Sequence, residues 1–209
     1  MHTARIAELL QPFLPEPSPA LLSSISTYID ILLRWNARIN LTAIRDPEAI
    51  VTRHFGESLF AARHLFPDPS ITVPHSVADI GSGPGFPGLP IKLWAPGISL
   101  TLIESNHKKS TFLREVARAL TLTDVDIQTT RAETLTGSTF DVVILRAVEN
   151  FEAILPTAAT LVKPGGRLAL LVGAAQTAHA RSTVLDLAWS TPTPIPLSRS
   201  RVLLLAKRT

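Results

Sequence analysis

The chain of 209 residues contains no cysteine. That excludes disulfide frameworks, thiolate metal sites and any mechanism built on a cysteine nucleophile. Charge is sparse as well: charged residues make up 18% of the chain against 45% hydrophobic ones, a balance that buries a large core and does not belong to a disordered polymer. Long apolar runs are missing. Mean hydropathy is +0.24, yet the strongly apolar stretch at 168–175 falls far short of the roughly 20 residues that a membrane-spanning helix needs. Near the amino terminus, Glu8, Gln11 and Pro12 interrupt the apolar segment that a secretory leader requires. The sequence reads as a cytoplasmic globule, one domain with an embellishment and no membrane partner.

What is present is unevenly spread. The formal net charge is +3, but residues 1–76 hold six arginines, no lysine and seven acids, residues 77–172 are neutral, and residues 173–209 carry five basic groups against one acid. Arg199, Arg201, Lys207 and Arg208 in that tail are candidates to meet nucleic acid, or simply a solvated basic terminus. Prolines cluster at 12–19, at 67–74 and at 192–196, marking boundaries. Ser18-Pro19 is a cap and first-turn pair, followed at helical spacing by Leu22, Ile25, Ile29, Leu32, Trp35 and Ile39. Asp46-Pro47 repeats that start signal. After Pro74, short β-rich runs at 77–80, 99–103, 125–129, 140–145, 167–172 and 201–206 alternate with helix-length segments such as 89–94 and 107–120. Alternating β and α predicts a parallel sheet covered by helices on both faces. The expected division is a helical extension over residues 1–73 and an α/β domain over 74–209.

Four of the ten glycines fall at 81, 83, 85 and 88, between the first predicted strand and a predicted helix. In that context a backbone without Cβ atoms lets a nucleotide-like ligand approach the carboxyl edge of a sheet. Two cofactors fit. Gly83-x-Gly85-x-x-Gly88 matches the dinucleotide fingerprint, whereas Asp79-x-Gly81-x-Gly83-x-Gly85 matches an S-adenosylmethionine loop. Glu104, ending the second strand, can accept hydrogen bonds from ribose hydroxyls in either case. Three features favour S-adenosylmethionine: Arg131-Ala132-Glu133 lies where an adenine edge would be, Lys163-Pro164-Gly165-Gly166 precedes the fifth strand, and the glycines sit close to the strand.

These residues resemble the small-subunit ribosomal RNA methyltransferase G family, also called glucose-inhibited division protein B. The resemblance rests on Asn40-Leu41-Thr42-Ala43-Ile44, Arg53-His54-Phe55, the glycine run ending Gly-Phe-Pro-Gly-Leu-Pro, Glu104-Ser105 with Lys108-Lys109, Phe112-Leu113, Arg131-Ala132-Glu133, Phe140-Asp141-Val142-Val143 and Arg146-Ala147. It implies a Rossmann-like class I methyltransferase, α/β with a mostly parallel seven-stranded sheet and an N-terminal helical extension. It also implies methyl transfer from S-adenosylmethionine to N7 of a guanine in 16S ribosomal RNA, in a loop near the decoding site. By position, Gly81 and Phe86 are expected to contact the cofactor, Ala132 and Glu133 to lie on its adenine side, and Arg146 to lie at the reaction site, touching cofactor and substrate. Gly83, Gly85 and Glu104 join the cofactor set on physical grounds. The expected partner is 16S ribosomal RNA within the small ribosomal subunit, met by a monomer. Many family members end the fifth strand with Lys-Gly, whereas this chain has Val172-Gly173, so a cation there must come from Lys163 or a tail arginine.

The chemistry agrees with a spare site. A sulfonium methyl is already activated, so catalysis is mainly alignment, and no metal is expected. Guanine N7 offers a lone pair and carries no proton, so no general base is needed. The fourth strand ends Leu145-Arg146-Ala147-Val148, not the Asp/Asn-Pro-Pro pattern of exocyclic-amine methylation. Arg146 is expected to orient guanine O6 or a phosphate, the structural alternative being an ion pair to Glu133 or Asp141. His54 is expected either to face the same cleft or to serve packing. Methylation of another RNA, a small molecule or a protein, an NAD-type oxidoreductase and a noncatalytic RNA-binding module are the competing readings.

Overall fold

The computed structural model describes residues 1–70, 75–135, 137, 139–148 and 150–209. The expected boundary at 73/74 lies outside the described residues. The N-terminal third is helical, as the start signals require. After α1 (Thr3–Leu10), helix α2 (Pro19–Asn36) opens on Ser18, whose hydroxyl accepts from the Leu21 amide at 3.2 Å, with Pro19 preset for the first turn. Asp46 caps α3 (Pro47–Ile50) in the same way, accepting from Ala49 N at 2.7 Å. The chain then widens into a π-helical segment over Val51–Gly56 before α4 (Glu57–Leu65). Such a widening costs hydrogen-bond geometry and is frequent at functional sites.

The remaining elements are β1 (Ser76–Ile80), α5 (Gly88–Trp94), β2 (Ser99–Ile103), α6 (His107–Ala119), β3 (Val125–Gln128), a 3-10 turn (Ala132–Thr134), β4 (Phe140–Arg146), α7 (Phe151–Thr160), β5 (Val162–Gly173), α8 (Gln176–Thr183), β6 (Leu187–Trp189), β7 (Thr193–Pro194) and β8 (Arg201–Arg208). The strand order is β3-β2-β1-β4-β5-β8-β6, with β7 paired to β8 off that path. Strands β1 to β5 are parallel, while β8 returns antiparallel against β5. Among the described residues seven strands form the main path, as expected, and the two-residue β7 adds an eighth.

Two apolar layers flank the sheet. Ile25, Tyr28, Phe55, Phe86 and Phe112 pack with Val77, Leu102 and Ile144 on one face, while Phe151, Leu155 and Ala180 pack with Ala78, Val143 and Leu170 on the other. Successive strand residues alternate between these layers, as the pleat demands. The N-terminal helices thus share one continuous core with the sheet and build the wall beside the carboxyl ends of β1, β4 and β5. Chain direction across the sheet reverses between β1 and β4. In open α/β sheets ligands bind at that switch point.

Candidate active site

The loop after β1 is tied to the end of β2. The amides of Gly81 and Ser82 donate to the Ile103 carbonyl at 2.9 and 3.1 Å, and the Gly83 amide donates to Glu104 Oε2 at 2.9 Å. Glu104 Oε1 accepts from Asn106 N at 2.8 Å, so each oxygen of this buried carboxylate is held by one backbone donor. Gly81, Gly83 and Gly85 all have positive φ, at 69°, 54° and 86°, which L side chains resist. Their surroundings differ. A Cβ on Gly81 would lie 2.5 Å from Val148 Cγ1, and one on Gly85 would strike the Tyr28 hydroxyl and Leu89, whereas one on Gly83 would meet only the Gly81 carbonyl oxygen, at an ordinary contact distance of 3.8 Å.

Asp79, at the end of β1, is 1% exposed. Its Oδ2 accepts from Gly88 N at 2.9 Å, and its Oδ1 has no partner among the described residues. Burial pushes this carboxyl up to about 7; the Gly88 N–H and Arg146 pull it down, and Glu104 pushes it up. A buried acceptor left open beside a glycine cradle is a place for a polar ligand group.

Phe86 turns away from the loop's open side. Its ring is buried between Tyr28, at 5.3 Å and 11°, and His54, at 4.7 Å and 18°, with Phe55 edge-on at 5.0 Å. Its observed side-chain neighbours are therefore the N-terminal helices, which hold the loop through it. His54 is neutral: burial first, then Arg146 and Arg53, push its imidazole down to about 3. Arg146 Nη2 lies 3.3 Å from His54 Nδ1, and a guanidinium only donates, so Nδ1 accepts. The ring hydrogen then sits on Nε2 and is donated to Thr42 Oγ1 at 2.9 Å. Thr42 is presented by a loop that Asn36 fixes, accepting from Leu41 N and Thr42 N and donating to Thr42 O.

Arg146, at the end of β4, reaches the helical wall. Its Nη2 donates to the Arg53 carbonyl at 2.7 Å and lies 3.3 Å from Glu57 Oε2. Its carboxylate partner is thus Glu57 and not Glu133 or Asp141; Asp141 is held by Ser76 and Lys163. The Glu57 carboxylate, 2% exposed, also takes Arg201 Nε at 2.8 Å and Arg53 Nε at 3.4 Å on its Oε1. These four residues, with Val148, Gly173 and others, line a cleft of about 220 Å³ at the carboxyl ends of β4 and β5.

Of the expected site residues, Gly81, Gly83 and Glu104 meet on the β1–β2 side of the switch point, and Arg146 stands beside them, because β4 pairs with β1 through Ile80 and Leu145. Ala132, buried, and Glu133, exposed, follow β3 at the same edge of the sheet. Gly85 packs against Tyr28 and Leu89 and so keeps the loop on α2. That arrangement disfavours the dinucleotide reading, whose second glycine must face the ligand. Glu57 was not singled out in the sequence, and Arg201 stood there only as one of four tail cations. Only the ion cluster reveals their roles, since 144 residues separate them. Lys207 and Arg208 lie at the opposite edge of the sheet, where Lys207 pairs in register with Arg167 and Arg208 bridges to Asp186.

A parallel sheet ordered 3-2-1-4-5, with an antiparallel β8 and a glycine loop at its switch point, defines the class I S-adenosylmethionine-dependent methyltransferase fold. The magnesium protoporphyrin IX methyltransferase of Synechocystis PCC 6803, solved with bound SAM, superposes with a TM-score of 0.67 at 16% identity, covering 89% of this chain and 97% of that one. Within this class the chain belongs to the rRNA small subunit methyltransferase G family, whose model matches residues 21–191. It is 38% identical over 180 residues to the ribosomal RNA small subunit methyltransferase G of Stenotrophomonas maltophilia (strain K279a), covering 86% of this chain and 81% of that protein. To the protein of the same name from Xylella fastidiosa (strain 9a5c) it is 42% identical over 148 residues, 70% of this chain and 66% of that one.

Proposed function

We propose that this protein transfers the methyl group of S-adenosylmethionine to N7 of a guanine in small-subunit ribosomal RNA, in a loop near the decoding site, acting as a cytoplasmic monomer on RNA within the small ribosomal subunit. The observation that carries the reading is the juxtaposition at one switch point of a glycine cradle with spare acceptors and an arginine-lined cleft. The residues present fit the cofactor. At Gly83 a ligand meets bare backbone, Glu104 retains a lone pair on each oxygen for ribose hydroxyls, and Asp79 Oδ1 is a buried acceptor without a donor among the described residues. Ala132 and Glu133 would flank the adenine. The bound cofactor supplies a methyl group already activated by sulfonium.

What remains for the protein is placement. Guanine N7 attacks with its own lone pair and loses no proton, so the neutral His54, whose Nδ1 is taken by Arg146 and whose hydrogen is held by Thr42, is not asked to act as a base. Toward the described residues Arg146 bonds through Nη2. Its remaining N–H groups can hold guanine O6 or a backbone phosphate. In A-form RNA the major groove is too deep and narrow for side chains to reach N7, so the target base must lie in a loop or be splayed out.

The test uses tritiated S-adenosylmethionine with under-methylated small subunits, naked 16S RNA and a protein fraction. Label is expected in RNA at a single guanine whose strand becomes cleavable after reduction and aniline treatment, as N7-methylguanine does. Label in the protein fraction, or on an exocyclic amine, would overturn the reading.

A further inference from the structure

We propose that Arg201 and Arg53, with Arg146 behind them, form a receiving site for a phosphodiester of the substrate RNA, and that Glu57 is the internal carboxylate that fixes their spacing. The inference rests on the RNA reading above and goes beyond it by assigning a binding site to residues on the last strand and on the π-helical segment.

One carboxylate faces three guanidinium groups. Glu57 Oε1 takes Arg201 Nε at 2.8 Å and Arg53 Nε at 3.4 Å, and Oε2 lies 3.3 Å from Arg146 Nη2. Among the described residues a single negative charge offsets one of the three positive ones, so those lining the cleft keep a surplus of two, against a formal net charge of +3 on the whole chain. The side chains are graded in exposure. Glu57 is 2% exposed, Arg146 12%, Arg201 27% and Arg53 48%, so the counter-ion lies deepest and the cations form a ramp from solvent inward. A purely structural ion pair has no need of the two extra cations, and like charges held this close repel. An anion arriving from solvent relieves that repulsion. Tetrahedral phosphate oxygens match the planar fork of a guanidinium better than any point charge.

Topology explains why Arg201 is the residue available. Strand β8 runs antiparallel to β5 and pairs Arg201 with Gly173, so the beginning of β8 lies at the carboxyl edge of the parallel sheet. Val172 sits there without a charge, and Lys163 is far from it, bound to Asp141 and Ser76 near the start of β4. The cation absent from the end of β5 is thus delivered from the neighbouring strand.

Arg201→Gln, Arg201→Lys and Arg53→Gln would be compared with wild type in binding unmodified 16S RNA across a salt series, and in methyl transfer to it. Each glutamine variant is expected to lower the slope of log affinity against log salt by about 0.7, the share of one phosphate on single-stranded RNA. KM for RNA should rise about ten-fold, with kcat and the affinity for S-adenosylhomocysteine within about two-fold, and Arg201→Lys should recover part of the slope. Arg201→Gln alone strips a partner from a buried carboxylate, so Glu57→Gln/Arg201→Gln is the control for folding. A slope loss that persists in the double variant at wild-type melting temperature supports a phosphate contact. A slope restored there, or wild-type slopes and KM in both glutamine variants, overturns the proposal. Binding is read without methyl transfer: if wild type binds RNA with the Arg201-dependent slope but methylates none of it, the methyl-transfer reading fails and the phosphate site stands.

Discussion

The Tyr28 hydroxyl, on α2, donates to the carbonyl oxygen of Pro84 in the glycine loop, 56 residues away. Its ring also stacks on Phe86, two residues further along that loop. The N-terminal helices therefore set the loop's position as much as the sheet does. Burial pushes the phenol well above its ordinary range, so it remains a donor. Tyr28→Phe keeps the stack and takes the donor from a part-buried carbonyl, a loss of about 0.5–1.5 kcal/mol. Tyr28→Ala removes the ring as well and is expected to cost about 3–5 kcal/mol. Both should weaken S-adenosylhomocysteine binding in the same order, read by calorimetry and by thermal unfolding with and without ligand. Equal affinity in Tyr28→Phe and wild type would detach the helix from the loop's function.

Gly81 and Gly83 have similar backbones and opposite surroundings, which separates folding from binding. Gly81→Ala drives a Cβ to 2.5 Å from Val148 Cγ1 at φ 69°. It should lower the melting temperature and cofactor affinity together. Gly83→Ala bears only the left-handed backbone cost, about 1 kcal/mol, because its Cβ would meet only the Gly81 carbonyl oxygen, at an ordinary 3.8 Å. Its melting temperature without ligand should stay near wild type while the affinity for S-adenosylhomocysteine falls at least ten-fold. A Gly83→Ala protein that binds normally would place the cofactor elsewhere.

Two buried groups give opposing pH dependences. His54 has a folded pKa of about 3 against an ordinary value of 6.5, so its contribution is complete above pH 6.5 and is lost as the pH falls toward 3. Asp79 has a folded pKa of about 7 against 3.8. Its contribution is present at low pH and is lost as the pH rises through 7. Between about pH 4 and 6.5 the two partly cancel. Relative to wild type, His54→Gln should therefore make the melting temperature rise on going from pH 7 to pH 5, and Asp79→Asn should make it fall. Parallel curves for both variants and wild type would show that neither group titrates as its burial implies.

The sequence carried the central architecture well because its signals are local. Ser18-Pro19 and Asp46-Pro47 are caps that act within one turn, and the glycine run is forced by backbone geometry that four neighbouring residues impose. Strands β6 and β7 were missed, being three and two residues long and lacking a period to read. The meeting of Gly81, Gly83 and Glu104, the proposed cofactor side, was legible because adjacent parallel strands bring successive loops together. The proposed substrate side was not. Glu57 is an unremarkable acid in a helix, and nothing local distinguishes a buried carboxylate from a solvated one. Its meaning comes from Arg146 and Arg201, which the register of β4 and β8 brings to it. Phe86 shows the converse: its place in the motif pointed to the cofactor, while its side chain is occupied by aromatic packing that no spacing announces.

Arg146 and Glu57 touch at 3.3 Å, yet their removal should leave different signatures. Arg146→Ala deletes the group proposed to meet the substrate and leaves Glu57 to Arg53 and Arg201. Methyl transfer to RNA should fall about a hundred-fold, the scale of a misplaced reactant, with S-adenosylhomocysteine still bound. Full transfer with normal cofactor binding would remove Arg146 from the reaction site. Glu57→Ala instead leaves three guanidinium groups facing one another without a counter-ion, a loss of about 3–5 kcal/mol. The distinguishing measurement is the melting temperature against sulfate concentration. An anion can replace the lost carboxylate in the cleft, so the Glu57→Ala curve should rise most steeply with sulfate, wild type less steeply and Arg146→Ala least, in the order of the positive charge left unbalanced. Parallel sulfate curves in all three proteins would mean that the arginines do not depend on Glu57 for their charge balance.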